Sequence, residues 1–250
     1  MDVRSSDSTP RLDGPDDDGV FTLHLGHYEN RITRSAIAEL HRALDQIERS
    51  AGPTACVLCS SGKFFCNGLS ITDLSSESQE FLRSFQQLLK RLLGFPVPLV
   101  AAINGHAFGG GAMLACVCDY RVMRKDRGFL CVNEVLIGLP LTPGMCAVIQ
   151  SKIDRSLWTS TMLRGQRWTG TEALAARIVD SVAVGDAEVL KTARSLAASV
   201  AAFGENRVVY GSIKREIYAR EMRALDEGNG SAAEFIEQMK GNAPAATPKL

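Results

Sequence analysis

Three short segments carry residue types that packing alone does not ask for. Glu134 is the single charged residue between Gly128 and Lys152. If buried, a carboxylate in so apolar a stretch has its pKa raised, because burial penalises the charged form. That suits a base that removes and returns a proton near neutral pH; the plainer alternative is an exposed Glu at a strand end. The second segment, Asn104-Gly105-His106-Ala107-Phe108-Gly109-Gly110-Gly111, leads into the apolar helix Ala112–Cys118. Glycine costs about 1 kcal/mol against Ala inside a helix, so a triplet fits a place where a ligand must approach the backbone. N–H groups at a helix start can hold an anion there, although close packing of helix on sheet would also use glycine. The third is the Gly-bounded turn Gly62-Lys63-Phe64-Phe65-Cys66-Asn67-Gly68-Leu69-Ser70. Taken alone it reads as an ordinary strand-to-helix loop.

The elements that must position these segments alternate along the chain. Val20–Leu25 reads as a strand, and Ile37, Leu40, Leu44 and Ile47 recur at helical spacing until Gly52-Pro53 stops them. Thr54–Cys59 is a strand, Glu80–Leu93 a helix with Phe81, Phe85, Leu88, Leu89 and Leu92 on one face, and Pro98–Ile103 a strand again. Further strands are expected at Tyr120–Met123, Phe129–Val132 and Val179–Val184. Beyond Asp186 the pattern is helical throughout, including one long run Val208–Leu225 and another at Ala232–Met239. Alternating elements first and helices last indicate an α/β core with a helical C-terminal segment.

At 250 residues the chain is the size of one large domain. Lys+Arg and Asp+Glu both count 28, and this balance argues against a non-specific nucleic-acid binder, which needs a basic excess. Seven cysteines are an odd number, scattered, and point to a reducing compartment. Cys56 and Cys59 have C-x-x-C spacing but lie in an apolar run with no His cluster, so a buried pair is expected rather than a metal or redox site. The acidic, Pro/Gly/Ser-rich N-terminus lacks the features of a secretory signal and reads as a mobile tail. The most apolar stretch, Leu92 to Cys118, is interrupted by Pro96, Pro98 and the Asn104-Gly105-His106 turn, so no membrane span is expected.

Taken together, the three segments resemble the enoyl-CoA hydratase/isomerase (crotonase) superfamily over roughly Val20 to Ala224. The resemblance implies an α/β fold, a crotonase-like ββα spiral core with a helical C-terminal region. The implied division is an acidic tail over 1–19, the spiral core over 20–190, helices over 191–240 and a second tail over 241–250. It also implies that the backbone N–H groups of Leu69 and Gly110 receive a thioester oxygen. Hydratases of the superfamily carry one Glu shortly after the Gly triplet and a second at the position of Glu134; here the first position is Met113. A single acid/base resembles the Δ3,Δ2-enoyl-CoA isomerases, in which one Glu moves a proton from C2 to C4. The likeness narrows to the plant peroxisomal isomerases on Met123-Arg124-Lys125-Asp126-Arg127-Gly128-Phe129-Leu130, Ile137-Gly138-Leu139-Pro140 and Val209-Tyr210-Gly211. Two departures bear on the acyl pocket: Ser70 where the family often has Asp, and Phe108 where it has small residues.

The substrate implied is an acyl-CoA thioester, with no metal and no further cofactor, since CoA is part of the substrate. Arg31 and Lys63 are the expected phosphate contacts, and Cys66, Asn67, Gly68 and Ser70 line the substrate loop. The resemblance implies a homotrimer or homohexamer. The C-terminal Pro248-Lys249-Leu250 differs at one position from the Ser-Lys-Leu peroxisomal address, which implies an import receptor as partner. Rival readings are a hydratase recruiting another acid such as Asp119, a non-catalytic acyl-CoA binder of the same fold, and a short-chain dehydrogenase. The last rests on Gly105-x-x-x-Gly109-x-Gly111 and the pair Tyr210 and Lys214, but only 139 residues follow Gly111, too few for a nucleotide-binding core that starts there.

Overall fold

The computed structural model describes residues 9–76 and 78–230. In chain order the elements are β1 (Arg11–Asp13), β2 (Val20–His24), α1 (Arg34–Arg49), β3 (Ala55–Cys59), β4 (Phe64–Cys66), α2 (Ile71–Ser76), α3 (Ser78–Leu93), β5 (Leu99–Ile103) and β6 (His106–Phe108). They continue as α4 (Gly110–Val117), β7 (Tyr120–Arg124), β8 (Leu130–Cys131), α5 (Pro143–Lys152), α6 (Gly170–Ala175), β9 (Ser181–Ala183), α7 (Asp186–Val200), α8 (Arg207–Ile217) and α9 (Ala219–Asp226).

A six-stranded sheet runs β1-β2-β3-β5-β7-β9, parallel except for β1, and a second sheet runs β4-β6-β8. Each short strand of the second sheet follows directly on a strand of the first: β3 to β4, β5 to β6, β7 to β8. Helices close each of these turns, so the chain spirals through ββα units, as the resemblance implies. The central strands β3 and β5 are buried along their whole length, which is why they read as continuous apolar runs. Cys56 and Leu58 face a core shared with α1 and α3, whereas Ala55, Val57 and Cys59 face α7 through Val189, Ala193 and Ala197. Small residues one turn apart on α7 let that helix lie close to the sheet.

Several elements differ from the sequence reading. Residues 11–13 of the expected mobile tail form β1, paired antiparallel with β2 from Arg11–His24 to Asp13–Thr22. The run Val208–Leu225 is not one helix but two, broken at Tyr218. The strand expected at Val179–Val184 is shortened to β9. The loop Gly62–Ser70 contains a three-residue strand, and so does the segment before the Gly triplet. Such strands are too short to show an alternation of their own. Cys56 and Cys59 point to opposite faces of β3, because side chains three apart in a strand cannot meet, and all seven cysteines are free. No helix among the described residues is long and apolar enough to cross a membrane. The Ala232–Met239 run and Pro248-Lys249-Leu250 lie outside the described residues.

Candidate active site

The Gly triplet does three different things at the start of α4. Gly109 is the N-cap with φ 53 and ψ −120, and its N–H donates to the Cys131 carbonyl of β8 at 2.9 Å. A side chain there would meet Glu134: an added Cβ would lie 3.0 Å from its Oε1 and 3.2 Å from Asn133 Oδ1. Gly110, the first helical residue, has no intrahelical acceptor for its N–H. Gly111 is a packing glycine, since a Cβ would come within 2.1 Å of the Cys66 carbonyl oxygen. Close packing and an open backbone donor are therefore both present, one residue apart.

The loop after β4 lies against this helix start. Gly68, at φ 80, is so close that a Cβ would sit 3.0 Å from the Phe108 carbonyl oxygen and 3.4 Å from Gly110 N. The Gly68 carbonyl accepts from Ile32 N–H at 2.9 Å, and Ser70 N–H donates to the Ile32 carbonyl at 2.8 Å. Because peptide groups alternate along an extended segment, the Leu69 N–H between them points away from Ile32. Leu69 faces Gly110: a Cβ added at Gly110 would lie 3.4 Å from Leu69 Cγ. Among the described residues neither N–H has a hydrogen-bond acceptor.

Glu134 opens a 3-10 turn, Glu134–Ile137, three residues after β8. Gly138, in the left-handed region at φ 68, ends the turn, and the N–H groups of Gly138 and Leu139 both donate to the Glu134 carbonyl. The backbone is thereby fixed while the side chain turns inward beside Gly109. Its Oε2 is buried and has no hydrogen-bond partner among the described residues. Burial pushes the carboxyl from the ordinary 4.5 up to about 7, opposed only by the bond from its own backbone N–H. The exposed strand-end alternative is thus replaced by a half-buried residue with a buried tip, flanked by exposed Val135, Leu136 and Leu163.

The remaining site residues are distributed less tightly. Cys66 is fully buried and its thiol is pushed up to about 12, so it is no nucleophile. Asn67 N–H donates to the Glu29 carbonyl, and Ser70 Oγ accepts from Asp73 N–H at the start of α2. Lys63 is exposed, its ammonium 5.3 Å from the centre of the Phe64 ring. Arg31 lies along the loop, its guanidinium on the carbonyls of Asn67 and Leu69. Met113 is buried one turn into α4. Asp119, the other carboxylate weighed for a hydratase, is spent: it pairs with Lys214 at 2.8 Å and accepts from Leu99 N–H and Tyr210 OH. That also removes Tyr210 and Lys214 from any dehydrogenase role. Sequence reading missed Asn30, buried with φ 52, whose Nδ2 donates to the carbonyls of Phe64 and Phe65. Its only signal is an Asn tolerating the left-handed region, too common to single out.

The family model described as enoyl-CoA hydratase/isomerase matches residues 18–239. The chain belongs to this family. Among its relatives, enoyl-CoA delta isomerase 3 of Arabidopsis thaliana is 35% identical over 218 residues, covering 83% of this chain and 92% of that protein. Enoyl-CoA delta isomerase 2, peroxisomal, of the same plant is 34% identical over 212 residues, covering 80% and 88%. The crystal structure of a probable enoyl-CoA hydratase from Mycobacterium tuberculosis superimposes with a TM-score of 0.81 at 26% identity, covering 93% of this chain and 99% of that one. The spiral of ββα units is thus the family's enoyl-CoA hydratase/isomerase fold, and the expected crotonase-like core is present.

Proposed function

We propose that this chain is a Δ3,Δ2-enoyl-CoA isomerase, which converts a 3-enoyl-CoA to trans-2-enoyl-CoA so that unsaturated fatty acids can enter β-oxidation. The observation that carries this reading is Glu134: one buried carboxyl titrating near 7, whose Oε2 has no partner among the described residues, beside two backbone donors that likewise have none there, with Met113 where a second acid would stand. The thioester oxygen lies between the N–H groups of Leu69 and Gly110. Ionised Glu134 takes a C2 proton, the C–H electrons form a C1–C2 double bond as the carbonyl pair moves onto oxygen, and the two donors hold the resulting dienolate, in which C3=C4 is still intact. Protonated Glu134 then returns the proton at C4. A proton shuttle needs one base whose pKa lies near the operating pH, whereas adding water gains from a second group that holds the nucleophile. Removing one such oxyanion donor costs roughly 3 kcal/mol of barrier.

No metal or additional cofactor enters this scheme. Lys63, exposed beside the loop, supplies a phosphate contact. The apolar rim of Val135, Leu136 and Leu163 offers surface to the acyl chain. A trimer or pair of trimers is supported by α8, which exposes Val209, Ile213 and Ile217 one turn apart. A peroxisomal location is supported by the peroxisomal name of one plant relative. Incubation with 3-hexenoyl-CoA in deuterated water tests the chemistry. Wild type is expected to form 2-hexenoyl-CoA and Glu134→Gln to form almost none. Direct, dominant formation of 3-hydroxyacyl-CoA from the 2-enoyl thioester would instead establish a hydratase.

A further inference from the structure

The donor amide of Leu69 follows a glycine in the left-handed region, and the stretch from Asn67 to Ser70 belongs to no helix or strand. Glycine gives a backbone its widest torsional freedom, so the Gly68–Leu69 peptide needs an external restraint if its N–H is to keep one direction. The restraint comes from Glu29–Ile32. Backbone bonds join Asn67 N–H to Glu29 O at 2.8 Å, Ile32 N–H to Gly68 O at 2.9 Å and Ser70 N–H to Ile32 O at 2.8 Å. Arg31 Nη1 adds donors to the carbonyls of Asn67 and Leu69, both at 3.3 Å, and its Nε is held by Glu29 Oε2 at 2.6 Å. One planar group therefore grips the carbonyls on either side of the Gly68–Leu69 peptide.

Resting on the oxyanion reading, we propose that Arg31 is a positioning residue, which clamps the Leu69 amide in its donor direction, and is not a contact to the CoA phosphates. The guanidinium suits this task because its donors lie in one rigid plane. A lysine would keep the charge but reach the carbonyls as a single flexible point. Nε and Nη1 are committed to one carboxylate and two carbonyls, so the loop and Glu29 set the direction of the guanidinium. The Gly68 carbonyl accepts a hydrogen bond on the opposite side of the same peptide, and this polarises the Leu69 N–H as a donor.

The test uses the full chain and its Arg31→Ala and Arg31→Lys variants. Hydrogen exchange of the free protein is followed in peptides covering 64–70, where the amides of Asn67 and Ser70 report on the clamp, with β5 as an internal control for folding. Both variants are expected to exchange about tenfold faster in 64–70 with β5 unchanged. With 3-hexenoyl-CoA, kcat is expected to fall about tenfold or more, short of the roughly 10²–10³ for losing a donor outright, while KM moves less than about threefold. Unchanged exchange in 64–70, or a raised KM at intact kcat, overturns the clamp; the second result would make Arg31 a substrate contact. If wild type fails to isomerise, the isomerase reading falls, and the exchange data still decide whether Arg31 holds the loop.

Discussion

Glu134 is costly to the fold at the pH where it is useful. Its carboxyl is raised from 4.5 to about 7 by burial, so the folded protein binds that proton more tightly than the unfolded chain does. Stability from this group is therefore complete below pH 4.5, falls as pH climbs toward 7 and stays low above it. The difference of about 2.5 pK units corresponds to about 3 kcal/mol. Glutamine mimics the protonated carboxyl in shape and carries no charge to desolvate. Glu134→Gln is thus expected to match wild type in urea denaturation at pH 4.5 and to exceed it by up to about 3 kcal/mol at pH 8.5. Above pH 7 its isomerase activity is expected to be lower by a factor of roughly 10²–10⁴, a gap that narrows toward pH 4.5 as wild-type Glu134 becomes protonated, and the acidic limb near pH 7 in the wild-type kcat/KM profile is expected to disappear. A stability difference between the two proteins that does not change from pH 4.5 to 8.5 would refute the argument, because Glu134 would then ionise in the folded state as it does in water.

Two further substitutions test the packing that carries the site. Gly111→Ala places a methyl 2.1 Å from the Cys66 carbonyl oxygen, so β4 and α4 must separate; a loss of about 3 kcal/mol or more is expected in urea denaturation, and a loss under about 1 kcal/mol would show that the two elements yield easily. Lys214→Ala leaves Asp119 uncompensated at a side-chain exposure of 12% and is expected to cost about 3–5 kcal/mol, with part recovered when Asp119→Asn is added.

Much of the scaffold was legible because burial on both faces leaves a plain mark. Strands β3 and β5 read as unbroken apolar runs because both of their faces are covered, and α1 and α3 read as apolar stripes at helical spacing because one face of each packs on the core and the other meets solvent. Strands β4 and β6 were not legible: three residues show no period, and each exists only because its neighbours in the second sheet supply partners. The break at Tyr218 was hidden for a similar reason, since Tyr218 packs on Lys152, 66 residues away in the chain.

The amino-acid sequence alone determined which groups were available: one carboxylate in an apolar stretch, a glycine triplet ahead of a helix, a glycine before Leu69, and Met113 where a second acid would serve. Only tertiary structure decided what those groups are. It brought Glu134 to Gly109 from another ββα unit, buried its Oε2 with no partner among the described residues and so raised its pKa. It also turned Arg31 onto the loop carbonyls and spent Asp119 on Lys214. Residue type sets what a side chain can donate, accept or ionise. Its pKa and partners depend on desolvation and on neighbours far apart in the chain, and those exist only once the spiral has closed.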